Sequence, residues 1–263
     1  MQTFLRFAVA LAMALALPAV AEEIVTIPTR SGVTQSFLLT LPDSGKPAAI
    51  ALLFPGGEGA IHLRMDAGRI RFGEGNFLVR SRGMFVDGGL AAVVLDAPSD
   101  YPQGMEDVFR LSDKHVQDIT AVMADIKRRF PNTPVFLVGT SRGTISAASA
   151  GRALGDPVAG VVLTSTVFLA NRRNPGLSGF DYAAIRAPLL FVHHVEDSCA
   201  VTPYRNAKDL NAKYPLISVR GGDPPRSGPC EPFAAHGYLG KEVPTVEAIV
   251  NWMLKKPFRN EVD

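Results

Sequence analysis

The sequence predicts an α/β fold, a mostly parallel sheet of about eight strands with helices on both faces. Three observations carry this reading. Short apolar runs rich in Val, Leu and Ile recur at 48–54, 90–95, 135–138, 158–163, 188–192 and 216–219. They are apolar at nearly every position, as strands covered on both faces require. Stretches with helical spacing lie between them, and Gly, Pro and Asp clusters mark the joins.

Taken in order, 23–29 and 35–41 are alternating or β-branched, and Arg30-Ser31-Gly32 between them is a turn signal, so they read as an opening hairpin. The run 48–54 ends in Pro55-Gly56-Gly57-Glu58-Gly59, and 90–95 ends at Asp96-Ala97-Pro98. One long helix is expected over about 107–130, with Val108, Leu111, His115, Ile119, Val122 and Ile126 on a shared face. After the strand 135–138, residues 144–154 are rich in Ala and Ser and stop at Gly155-Asp156-Pro157, which reads as a second helix. A closing helix is expected over 245–254, with Val246, Ile249, Val250 and Met253 inward. Two excursions interrupt this rhythm: 59–89, with a weak helical stretch near 76–82, and 168–182. Both follow strand C-terminal ends, where open α/β sheets place their sites, so both are candidate substrate-facing walls.

The first residues address the compartment. Arg6, the apolar stretch 7–17, Pro18 and the small-x-small run Ala19-Val20-Ala21 make a secretory signal peptide, with the mature chain expected from Glu22. The apolar run is too short to span a bilayer comfortably, so a membrane anchor is the weaker reading. Residues 22–263 are then expected to form a single domain, periplasmic or secreted, with no stable membrane span after cleavage. Without Arg6, 26 basic residues face 25 acidic ones, which gives no case for nucleic acid as a partner. The two cysteines, Cys199 and Cys230, in an oxidising compartment favour a disulfide. They lack the C-x-x-C spacing of a metal site.

The chemistry is carried by Gly139-Thr140-Ser141-Arg142-Gly143, set between a strand and a helix. A G-x-S-x-G pattern in that setting is a nucleophile elbow, in which the glycines let the helix pass close to the strand and leave the serine exposed. A serine hydroxyl needs a general base, and the base needs a carboxylate to orient it. Asp197 follows the strand 188–192, and His236 lies between the last strand and the closing helix. Each falls in a loop at the same edge of the sheet.

With these residues in this order the chain resembles the α/β-hydrolase family over nearly its whole mature length. The resemblance implies Ser141 as nucleophile, His236 as general base and acid, and Asp197 as the orienting carboxylate. Glu196 is the rival acid; Asp197 is preferred because its spacing from His193 resembles a common His-Gly-x-x-Asp run, with His194 here in the glycine's place. The oxyanion hole is expected from the backbone N–H of Arg142 and from Gly57, with Glu58 second, since Pro55-Gly56-Gly57 resembles the His-Gly-x turn of relatives. A disulfide between Cys199 and Cys230 would tie the acid loop to the base loop. His193 and His194 read as structural, His115 as inward-facing on its helix and His62 as surface.

The triad implies acyl transfer to water through an acyl-enzyme, on a small-molecule or polymer-derived acyl substrate, with no cofactor. Carboxylic esters are the first reading, peptide or amide bonds the second, with thioesters and acyl transfer behind them. Little or no cap domain is expected, since no helical insertion follows 158–163. A non-catalytic binding protein of the same fold is the alternative from another class.

Overall fold

The computed structural model describes residues 22–263; the leader read at 1–21 lies outside the described residues. The opening hairpin forms as β1 (Glu22–Arg30) and β2 (Val33–Thr40). The remaining sheet strands are β3 (Ile50–Phe54), β6 (Ala91–Leu95), β7 (Val135–Thr140), β8 (Gly160–Thr164), β9 (Leu189–His194), β10 (Leu216–Val219) and β11 (Glu261–Val262). They form a nine-stranded sheet in the order β1-β2-β6-β3-β7-β8-β9-β10-β11. The β1–β2 and β2–β6 pairs are antiparallel, and every later pair is parallel. The ninth strand was not expected: β11 is two residues long and pairs only at the edge, too short to show a pattern.

Side chains of the central strands alternate between two apolar layers. Leu52, Leu137, Leu163 and Phe191 face α4 (Asp113–Arg129), α5 (Gly143–Leu154) and α6 (Tyr204–Leu210). Leu53, Val138, Val162 and Leu190 face α1 (Phe77–Arg80), α2 (Arg82–Asp87) and α7 (Glu242–Met253). Burial on both sides explains the uninterrupted apolar runs.

Three elements differ from expectation. The helix expected over 107–130 is two: α3 (Asp107–Arg110) and α4, broken at Leu111-Ser112. Ser112 takes an extended conformation and its hydroxyl accepts from the His115 N–H at 3.4 Å, so it restarts the helix as an N-cap. Val108 is therefore not on the buried face but 64 % exposed. The closing helix begins at Glu242, because Pro244 in its first turn has no N–H that the helix needs there. The 59–89 excursion contains a small antiparallel hairpin, β4 (Arg64–Asp66) and β5 (Arg69–Arg71), turned by Ala67 and Gly68, both with positive φ.

The chain leaves β3 for β6 on one side and returns to β7 on the other. The loops after β3 and β7 thus diverge at the switch point of the sheet, where α/β sheets open a crevice. Between β8 and β9 the described residues hold one 3₁₀ turn, Tyr182–Ala184, and no helical cap.

Candidate active site

The elbow is a backbone device. Ser141 has φ of +51°, a conformation that L residues avoid, and the surroundings hold it there. Its N–H donates to the Thr164 carbonyl at 3.0 Å, and the Thr144 hydroxyl donates to its carbonyl at 2.6 Å. Both flanking glycines are required by contact. A Cβ on Gly139 would lie 2.5 Å from the Gly143 carbonyl oxygen, and one on Gly143 would lie 2.0 Å from that of Phe54. The helix α5 thus starts in direct contact with β7 and the end of β3, and the serine is left at the crest of the turn.

Asp197 and His236, 39 residues apart, come together: His236 Nδ1–H donates to Asp197 Oδ2 at 3.0 Å. The Asp197 side chain is fully buried, and its two oxygens are otherwise occupied. Oδ1 accepts from the Cys199 N–H at 3.0 Å, and Oδ2 from the Thr202 hydroxyl at 2.8 Å. With Nδ1 committed as a donor, the neutral ring presents Nε2 as an acceptor. That nitrogen is buried and has no partner among the described residues, and it lines the same cleft as Ser141. The Ser141–His236 bond is not made in this structure. The His236 backbone is held as well: its carbonyl accepts from the Ser165 hydroxyl at 2.7 Å, and Ser165 in turn bonds the buried Tyr238.

Cys199 and Cys230 form a disulfide, with Cα atoms 4.7 Å apart. It joins the acid loop to the segment before His236, and Cys230 lines the cleft.

The loop after β3 crosses in front of the elbow. A Cβ on Gly56 would sit 2.9 Å from the Ser141 Cβ, so no larger residue fits. Gly57 follows with φ of +58° and lines the cleft. Arg142 stands at the start of α5 in helical conformation. Its side chain turns away to bond Asp107 at 2.8 Å, Glu58 at 3.0 Å and the Met105 carbonyl at 3.0 Å. Glu58 is thus an ion-pair partner, its side chain largely exposed. Behind the loop lies Arg110, fully buried, donating to the carbonyls of Gly57 at 3.0 Å and Met105 at 3.4 Å and to the Ser146 hydroxyl at 3.1 Å. Burial, and next the Arg142 charge, pull its guanidinium down to about 9, so it remains a cation at neutral pH. By fixing the Gly57 carbonyl, Arg110 sets the direction of the loop's peptides.

The cleft holds about 250 Å³ and is lined by Gly56, Gly57, Asn76, Phe77, Ser141 and His236 among others. The 59–89 excursion does form one wall, through Asn76 and Phe77. The 168–182 excursion does not reach this cleft. Phe168 and Leu177 join the core, the Leu177 N–H bonds the Val167 carbonyl at 2.8 Å, and the loop borders a separate hollow of about 270 Å³.

The remaining candidates have structural surroundings. Glu196 is not the residue on His236: its carboxylate lies 3.0 Å from His194 Nδ1 and is 56 % exposed. His194 Nε2–H donates to the Gly221 carbonyl at 2.9 Å, which ties the acid loop to the loop after β10. His193 Nε2 accepts from the Thr166 N–H at 2.7 Å, and His115 Nε2 meets the Ser146 hydroxyl at 2.9 Å. Burial pushes both imidazoles down to about 3, so both are neutral. His62 is exposed. Among the described residues no three His, Cys, Asp or Glu side chains gather as a metal site.

Sequence reasoning missed Thr202 and Arg110, each of which acts through a contact distant in sequence and outside any motif.

A family model described as serine aminopeptidase, S33, matches residues 103–209. In sequence, no curated protein matches the chain. Solved structures match in fold at low identity. Est1E from Butyrivibrio proteoclasticus is 17 % identical, with 88 % of this chain and 98 % of that chain covered and a TM-score of 0.62. An alpha-beta serine hydrolase homologue from Coxiella burnetii is 16 % identical, with 89 % and 96 % covered and a TM-score of 0.58. A cold-adapted esterase from an Arctic intertidal metagenomic library is 14 % identical, with 92 % and 96 % covered and a TM-score of 0.58. The switch-point elbow, the sheet order and these matches agree, and the chain has the α/β-hydrolase fold.

Proposed function

We propose that the chain is an exported serine hydrolase that cleaves carboxylic esters of small acyl groups. One observation carries this reading: an unpartnered, buried His236 Nε2 shares a cleft with Ser141 while its Nδ1–H is held by a buried carboxylate. Ser141 Oγ attacks the acyl carbon as His236 Nε2 takes its proton. The carbonyl electrons move onto oxygen, and the resulting oxyanion accepts from the N–H groups of Arg142 and Gly57. The tetrahedral adduct collapses, the C–O bond to the alcohol breaks, and His236 returns the proton to the leaving oxygen. Water, deprotonated by His236, repeats the sequence on the acyl-enzyme and frees the acid and Ser141. Asp197 orients the imidazole and stabilises its cation throughout.

The size of the cleft and its apolar Phe77 wall suit a short acyl chain. Ester cleavage is supported by the names of two fold neighbours, Est1E and the cold-adapted esterase. The family description over residues 103–209 favours a second reading, cleavage of a peptide bond. Export to the periplasm or beyond is supported by the leader at 1–21 and by the disulfide.

Intact-mass analysis after fluorophosphonate treatment tests the chemistry without a guess at substrate. One adduct on the wild type, absent from Ser141→Ala, is expected. A well-folded, oxidised wild type that takes no adduct refutes the hydrolase reading. p-Nitrophenyl acetate and aminoacyl p-nitroanilides then separate esterase from peptidase.

A further inference from the structure

We infer that Asn76 is a third donor to the oxyanion, delivered by the 59–89 excursion rather than by the elbow or the loop after β3. The inference rests on the serine-hydrolase reading and adds to it a side chain that touches the reacting atoms.

The side chain's orientation follows from chemistry. Asn76 caps α1, and its Oδ1 accepts from the Leu78 N–H at 3.1 Å. A backbone N–H can only donate, so the amide oxygen must be the atom facing Leu78 and the amide nitrogen must point the other way. That nitrogen faces Gly56, and both residues line the cleft. The position a Cβ would take on Gly56 lies 3.2 Å from Asn76 Nδ2 and 2.9 Å from the Ser141 Cβ. The absence of a side chain at Gly56 thus lets Asn76 Nδ2 and Ser141 approach the same point of the loop, which also lies 2.9 Å from the Thr140 carbonyl oxygen. In the tetrahedral adduct the oxyanion is three bonds from the Ser141 Cβ, far enough out to meet Nδ2 when it is directed to the Gly56 side. Asn76 Nδ2 has no protein acceptor among the described residues, so its N–H is free for a ligand.

The donor is also preorganised, which is what makes such a group effective. On one side of it, Gly75 is fixed by Arg80 Nη1, which donates to its carbonyl at 2.9 Å. On the other, the Phe77 ring is buried against Tyr238, with centroids 4.6 Å apart. The same Arg80 guanidinium donates to the Gly237 carbonyl at 2.5 Å, so the Asn76 turn and the His236 turn are fastened to each other. Reaction brings the oxyanion to a donor that has no need to move.

The cap and the proposed donor use different atoms, and that separates them experimentally. Asn76→Asp and Asn76→Ser both keep an oxygen that accepts from Leu78, since Asn, Asp and Ser are about equally good N-caps. Neither keeps an N–H at the Nδ2 position. The readouts are the second-order rate of phosphonylation by a fluorophosphonate, kcat and KM on p-nitrophenyl acetate, and the melting temperature. Phosphonylation and kcat are expected to fall about 100-fold in both variants, with KM changed less than about threefold and Tm within a few degrees of wild type. A Tm that holds shows the cap and the fold intact. Wild-type rates in both variants mean that Asn76 is a cap only and overturn the inference. Loss confined to the Asp variant reports charge repulsion and overturns it as well. A wild type that is not labelled at all overturns the underlying hydrolase reading, an outcome distinct from labelled variants with unchanged rates.

Discussion

The disulfide between Cys199 and Cys230 makes two claims that one experiment separates. The first is thermodynamic. The bridge closes a loop across 31 residues, and the chain-entropy expression for that length gives about 3.7 kcal/mol of stabilisation at 25 °C. For a chain of this size 1 kcal/mol corresponds to about 2–4 °C. Reduction, or the double variant Cys199→Ser/Cys230→Ser, is therefore expected to lower Tm by about 7–15 °C. A shift below about 3 °C refutes the loop-closure account.

The second claim is geometric. Of the two protein groups besides His236 that hold the Asp197 carboxylate, one is the N–H of Cys199 itself, at 3.0 Å. The other, Thr202, donates to the Cys199 carbonyl region as well as to Asp197, its N–H meeting that carbonyl at 3.1 Å. Cys230, at the far end of the bridge, lines the cleft six residues before His236. Cutting the bridge frees both ends of the Asp–His pair. A tenfold loss of kcat, equivalent to about 1.4 kcal/mol of transition-state stabilisation, is expected at 25 °C, where the variant is still folded. The assay is turnover of p-nitrophenyl acetate beside a melting curve of the same sample. A lower Tm with unchanged kcat in the folded enzyme refutes the geometric claim and leaves the bridge a simple staple.

Two further outcomes follow from the buried polar groups. Arg110→Met keeps the volume but leaves the Gly57 carbonyl and the Ser146 hydroxyl without their donor; a loss of about 2–4 kcal/mol in urea unfolding is expected, with kcat falling more than KM rises, and an unchanged kcat refutes its positioning role. His115 and His193 are held down to about 3 by burial in the fold, against about 6.5 when unfolded. Between those values the unfolded chain binds the extra protons, so their stabilisation is complete above about pH 6.5 and is lost as pH falls toward 3. Urea unfolding at pH 7 and pH 5 is expected to differ by about 4 kcal/mol for the pair, and His193→Asn, if folded, to show about half that difference. A flat profile over this range shows that the two rings take up protons in the fold as readily as in the unfolded chain, and refutes the burial account.

The sequence is legible where the backbone itself constrains residue type. Gly139 and Gly143 admit no Cβ, so the elbow appears in the sequence as a pattern. Strands buried on both faces leave unbroken apolar runs for the same kind of reason. Legibility fails where a role depends on a contact far along the chain. Thr202 meets His236 across 34 residues, and Arg110 reaches Gly57 across 53; nothing local distinguishes them from any other threonine or arginine. The break between α3 and α4 lies between these cases. Ser112 directly before Asp113 is an N-cap signal, but an apolar periodicity that ran through it from Leu111 to His115 masked it. The expectation that both excursions wall the site failed because a strand's C-terminal end fixes only where a loop begins. Phe168 and Leu177 draw the second loop back onto the core.

The absence of a cap among the described residues gives the loop contacts a particular weight. A cap excludes water and presses substrate onto the machinery; an open cleft has to hold its donors in place without that help. Here three ties do so, each joining loops from separate parts of the chain. Arg142 links the elbow to Glu58 and Asp107. Arg80 links the Asn76 turn to the His236 turn. The disulfide links the acid loop to the base loop. Two of the ties are charged groups bonded to backbone carbonyls, which fix peptide direction as well as position. The geometry of the cleft is therefore a property of these cross-links more than of the helices beneath it. Cutting any one of them should move kcat before it unfolds the sheet.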